Sequence, residues 1–166
     1  MVIEQSPLRR SPDPTLTDLG EGERALLAAI RLWHRGYPDT TAALAPMRGR
    51  LRQGGIPEAV LLPLLTFLGV FSQNTRRPLV SRSVDCARIG ADERALLAVF
   101  AAQQRRDAGL AVEILGRWLS PIARCQCLDS ATQVADGFSR CSPAVVLGAP
   151  EAAAGPSSLD YLDAAD

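Results

Sequence analysis

Four cysteines, one histidine and a cluster of arginines are the residues of this chain whose types could carry chemistry. Cys125-x-Cys127, with Cys141 and Cys86, would hold zinc or an iron–sulfur cluster if the thiolates converged. Residues two apart on a helix point in nearly opposite directions, so Cys125 and Cys127 share a metal only where the helix is unwound. The C-x-x-C pairs common in metal sites are absent. On a helical reading Cys125 is a small core residue and Cys127 faces away, toward a partner. A reduced, metal-free set of thiols is the expectation, with a zinc or iron–sulfur site as its rival.

His34 follows Trp33 in the last turn of an expected helix, where an imidazolium would suit the negative end of the dipole. A general base needs a nucleophile or an orienting carboxylate beside it, and the sequence names neither. Serines, threonines and acids stand in no hydrolase or phosphate-loop order. No catalytic constellation is legible, and the chain reads as a non-enzyme.

The arginines carry more. Arg48, Arg50, Arg52, Arg76, Arg77, Arg82 and Arg88 lie in one stretch against only Glu58 and Asp85, a local balance of plus five in a chain of zero net charge. Such a stretch suits the phosphates of a nucleic acid. Interleaved aromatics and a convincing helix-turn-helix are missing, so a solvated face is the ordinary explanation. The end of the chain has the opposite sign: residues 149–166 hold Glu151, Asp160, Asp163 and Asp166 and no base.

The elements that position these residues begin from an eleven-residue stretch used twice. GEGERALLAAI starts at Gly20 and GADERALLAVF at Gly90. Each is a helix start, with Gly at the N-cap and Glu23 or Glu93 reaching back to the free amides. Leu26, Leu27 and Ile30, then Leu96, Leu97 and Phe100, fall on one helical face. The first helix is expected over Glu21 to His34, ending at Gly36. Asp39 should cap a second, with Leu44, Met47 and Leu51 inward and Pro46 forcing a kink or a late start. Pro57 opens a third, AVLLPLLTFLGVF, apolar on every side and therefore placed at the centre, with Leu65 in its middle.

The second half repeats the plan. A helix runs from about Ala91 to Arg106, Asp107 caps the next, and Ser120-Pro121 starts a third with Ile122, Cys125, Leu128, Ala135 and Phe138 on one side. Gly20 with Gly90, Asp39 with Asp107, Pro57 with Pro121 and Phe71 with Phe138 recur in order, as in a tandem duplication. The expected fold is all-α: about six helices in two three-helix units, residues 18–80 and 88–146, related by a pseudo-twofold axis. Residues 1–17 and 149–166 are expected to be disordered flanks.

With 166 residues, 47% of them hydrophobic and 22% charged, the chain suits one ordinary domain. All basic residues are arginine, as in proteins from GC-rich bacterial genomes. The N-terminus lacks a signal-peptide core and no apolar run spans a bilayer, which together read as cytoplasmic. The leading expectation is a helical binding or regulatory protein whose partner is another protein or a second copy. A cysteine-ligated metal or redox protein comes second, and an arginine-patch nucleic-acid binder third.

Overall fold

The structure is a computed structural model that describes residues 14–141 and Leu147. Six α-helices are present among these residues: α1 (Glu21–Gly36), α2 (Leu44–Gln53), α3 (Leu61–Asn74), α4 (Ala91–Gln104), α5 (Ala108–Leu115) and α6 (Pro121–Ser139). The fold is all-α. None of these helices is long and apolar enough to cross a membrane.

The helix starts follow local chemistry. Glu23 Oε2 accepts from the Gly20 amide at 3.0 Å, and Glu93 Oε2 from the Gly90 amide at 2.8 Å. Asp107 Oδ1 accepts from the Leu110 amide at 3.0 Å, and Ser120 caps α6 with Pro121 in its first turn. Pro46 is met by a late start: a 3-10 turn over Thr41–Ala43 leads into α2, which places the proline among positions whose amides have no helical partner. Asp39 bonds the Thr41 amide in that turn rather than capping α2 itself. Gly55, at φ 72°, closes α2 in the left-handed region that glycine enters without a Cβ clash.

The helices bury one contiguous core that draws Leu26, Met47, Phe67, Phe100, Trp118 and Phe138 from all parts of the fold. α1 packs on α2, and α4 on α5, while α3 lies against α6. α3 and α6 run antiparallel, since Val60 meets Gly137 and the Phe67 carbonyl faces Cys127. α6 also packs along α4 and α5.

Two expectations are corrected here. α3 is not buried all round: Leu61, Leu64, Phe67, Leu68 and Phe71 face inward, Leu65 is half-buried, and Leu62 is 71% exposed. The more enclosed helix is α4, which buries Glu93, Ala95–Leu97 and Val99–Gln103. On α6 Ala135 and Phe138 face inward as expected, together with Ala123, Cys127, Ser130, Ala131 and Val134, whereas Cys125 is exposed and Ile122 is 77% exposed. Small residues won over large ones there because they let α3 approach closely.

Residues 14–17, ahead of the first expected unit, are hydrogen-bonded to the crossing before α4. Thr15 pairs with Arg88 in an isolated antiparallel bridge, Leu16 donates to the Ala87 carbonyl at 2.8 Å, and Ile89 to the Pro14 carbonyl at 3.0 Å. Residues 1–13 and the acidic stretch 149–166 lie outside the described residues.

Candidate functional site

Between the C-terminal turns of α1 and α3 and the start of the crossing to α4 lies an apolar groove of about 220 Å³. Its floor is Ile30, Leu68 and Phe71, all buried. Trp33, half-buried, forms one wall, and its indole Nε1 donates to Ser72 Oγ at 3.1 Å, which ties α1 to α3 at the groove. Leu79 and Pro78 close the other side, and Tyr37, 42% exposed, stands at the rim beside His34. Trp33 and Tyr37 are four residues apart on one helical face, with ring centroids 6.5 Å from each other.

The crossing over residues 75–90 holds the far wall in place. The Arg76 amide donates to the Trp118 carbonyl at 2.8 Å, and its guanidinium to the Gly116 and Leu119 carbonyls, each at 3.1 Å. Those carbonyls belong to the end of α5 and the turn after it, where intrahelical donors run out. Arg77 makes a two-pronged pair with Asp92, both distances 2.9 Å, and stacks 4.7 Å over the Trp118 ring. Asp92 is held below the usual carboxylate range, first by its Arg77 hydrogen bonds and further by the Val80 amide, against the opposing effect of burial.

Below the groove, Arg31 of α1 reaches Glu93 of α4. Its Nε and Nη2 donate to the two carboxylate oxygens at 2.8 and 2.9 Å, Nη1 donates to the Cys86 carbonyl at 2.7 Å, and Nη2 also to the Arg88 carbonyl at 2.8 Å. Glu93 also accepts from Ser81 Oγ and from the Arg82 and Gly90 amides. Burial pushes the Glu93 carboxyl up. The Arg31 hydrogen bonds, the two backbone amides and the Arg31 charge outweigh that and hold it below its ordinary value.

The arginines singled out in the sequence are thus largely committed within the fold. Arg48 and Arg52 both reach Glu58, at 2.8 and 3.5 Å, while Arg76 and Arg77 cap and pair as described. Arg50, Arg82 and Arg88 are exposed. Arg50 faces Arg24 across a polar cleft of about 410 Å³ that also holds Glu21 and Asp85, so its charges are mixed.

The cysteines take four different settings. Cys86 is half-buried in the crossing, Cys125 is exposed on α6, Cys127 is fully buried against α3, and Cys141 follows α6. Burial pushes the Cys127 thiol up to about 12. Cys125 and Cys127 have therefore exchanged the roles expected of them. Among the described residues no three His, Cys, Asp or Glu side chains stand together as a metal site.

Of the groove residues only His34 stands out in the sequence as a side chain that could carry chemistry. The Trp33–Tyr37 spacing was a usable signal for one wall. The Pro78–Leu79 wall was not legible, because a loop's path depends on contacts distant in sequence. Compared with protein families, with curated proteins and with solved structures, the chain matches none.

Proposed function

We propose that this chain is a non-enzymatic binding protein that seats a bulky apolar side chain of a protein partner in the Trp33–Leu79 groove. The observation that carries the reading is an open socket with an apolar floor and a half-polar rim of Tyr37 and His34. Its volume falls below the roughly 300–1,000 Å³ of small-molecule sites and suits an anchor residue. Tyr at a rim contributes contact area at low entropy cost and keeps its hydroxyl wet. Support against the rivals comes from the same geometry. A thiolate at Cys127 is costly at neutral pH, and Arg76 and Arg77 are turned to backbone carbonyls and to Asp92, which leaves them less free to meet phosphates. Self-association remains part of the proposal, with the partner side chain then supplied by a second copy.

The test is selection of displayed random peptides on the full chain. Enriched peptides are expected to share a Leu, Phe, Tyr or Trp anchor and to bind at least about tenfold more weakly to Thr75→Trp, which fills the groove and keeps the wild-type helical circular dichroism although it loses the Thr75 hydroxyl bond to the Arg77 carbonyl. Enrichment without an apolar anchor, or equal binding by Thr75→Trp, would overturn the reading.

A further inference from the structure

We infer that the partner binds as an extended peptide, added antiparallel to the crossing at Leu79–Ser81 as a strand, with one of its apolar side chains in the groove. This rests on the reading of the groove as a side-chain socket and names the form of the partner that fills it.

The crossing supplies the edge. Residues 78–83 make neither turn nor bend, so successive backbone groups alternate in direction as they do along a strand. One set is taken. The Val80 amide donates to Asp92 Oδ2 at 2.9 Å and the Arg82 amide to Glu93 Oε1 at 2.8 Å, both in the first turn of α4. The Val80 carbonyl is turned the same way, since a Cβ placed on Gly90 would lie 3.6 Å from its oxygen. Alternation then turns the N–H and C=O groups of Leu79 and Ser81 away from α4. None of these has a hydrogen-bond partner among the described residues. Backbone groups left unpaired inside a protein are rare, so these are open to water.

The side chains of the same segment show what would lie beside it. Residues opposite each other on paired strands put their side chains on one face. A partner residue opposite Leu79 therefore directs its side chain where Leu79 directs its own, into the groove. The next partner residue falls on the other face, against Val80, which is 65% exposed. An added strand thus covers an apolar side chain that the fold leaves in water and meets backbone groups that it leaves unpaired. A helical partner could fill the groove but not pair with Leu79 and Ser81, because its own amides are bonded internally. Antiparallel pairing is the slightly more stable arrangement. A two-stranded ribbon is marginal by itself, and the anchor in the groove supplies the rest of the affinity.

The probe is acetyl-Thr-Val-Phe-Val-Thr-amide, with phenylalanine for the groove and valine for the Val80 face. The full chain is followed by the Trp33 indole resonance, with fully buried Trp118 as reference, and by amide hydrogen exchange. At saturation the peptide should move Trp33 and slow exchange at Leu79 and Ser81 about tenfold or more, while Val80 and Arg82, already bonded, change little. Methylating the phenylalanine nitrogen removes the donor to the Leu79 carbonyl and should weaken binding about tenfold. Methylating the next valine nitrogen, which points away, should change it less than about threefold. A Trp33 shift with unchanged Leu79 and Ser81 exchange, and equal binding by the two methylated peptides, would overturn the strand and leave the socket standing. 4-Methylphenol, the tyrosine side chain alone, checks the socket separately. A Trp33 resonance that it moves and the peptide does not would also overturn the strand alone. A Trp33 resonance that neither moves would overturn the socket and the strand together.

Discussion

At the scale of the residue, the Arg31–Glu93 pair is the most consequential contact. Both side chains are almost fully buried, and every donor of Arg31 described above has an acceptor. Breaking such a pair strands a charge, so Arg31→Met should cost about 3–5 kcal/mol in urea unfolding. Arg31→Met with Glu93→Leu should recover only part of that, because the Cys86 and Arg88 carbonyls and the Arg82 and Gly90 amides lose their partners too. A pair whose loss costs under about 1 kcal/mol would mean that water reaches it. The Glu93 carboxyl titrates below its unfolded value near 4.5, so the unfolded state binds more protons in that interval. Its contribution is complete above about pH 5 and is lost as pH falls through the lowered value. Stability measured from neutral pH downward should therefore decline less steeply in Glu93→Gln than in wild type. The sequence disclosed half of this: Glu93 was legible as a capping residue from its spacing to Gly90. Its partner was not, because Arg31 looks like any helical arginine, and the residue as far beyond Gly90 as Arg31 is beyond Gly20 is Ala101. Cysteine reactivity follows burial in the same way. Iodoacetamide under mildly alkaline conditions should modify exposed Cys125 well before Cys127, as peptide mass spectrometry would show. Modification in the opposite order would restore the face assignment suggested by periodicity.

At the scale of the element, α3 and α6 show why periodicity found the helices but not their faces. An all-apolar segment such as LLPLLTFLGVF offers no polar side to mark what is outside. The structure resolves the choice by inserting Leu64, Phe67 and Phe71 and leaving Leu62 in solvent. The outcome on α6 depended on approach distance: a Cβ at Gly137 would collide with Val60, and Cys127 sits against the α3 backbone. Glycine, alanine and cysteine at that seam matter by being small, a property that a count of hydrophobic residues passes over. The expected central position of Leu65 gives way accordingly. Leu64→Ala should cost about 2–5 kcal/mol, whereas Leu62→Ala should stay within about 0.5 kcal/mol. Thermal or denaturant unfolding of the two variants separates them. Equal losses would show Leu62 covered in solution, as a second copy on that face would cover it.

At the scale of the molecule, the two halves of the chain are joined by more than their linker. The repeated helix starts made six helices and their order legible, since caps and prolines act locally. How the halves share a core was not legible, because it depends on contacts many positions apart. Arg31 of the first half meets Glu93 of the second, α3 packs on α6, and Arg76 caps the end of α5. Pro14–Leu16 is laid against residues 87–89. Neither half could open without stranding the buried carboxylate and exposing the α3–α6 seam. The chain should therefore unfold as one cooperative unit, the usual behaviour of single domains of this size. Its two tryptophans allow a direct check, because Trp33 lies in the first half, whereas Trp118 of the second packs on Phe71 of the first and reports on the contact between them. In Trp118→Phe and Trp33→Phe each protein keeps one indole, and its fluorescence can be followed beside far-ultraviolet circular dichroism. Within each variant the fluorescence and dichroism transitions should coincide in urea. Two separate transitions, with Trp33 released while helical signal from the second half persists, would mean that each half holds its own core and that the contacts between them are accessory.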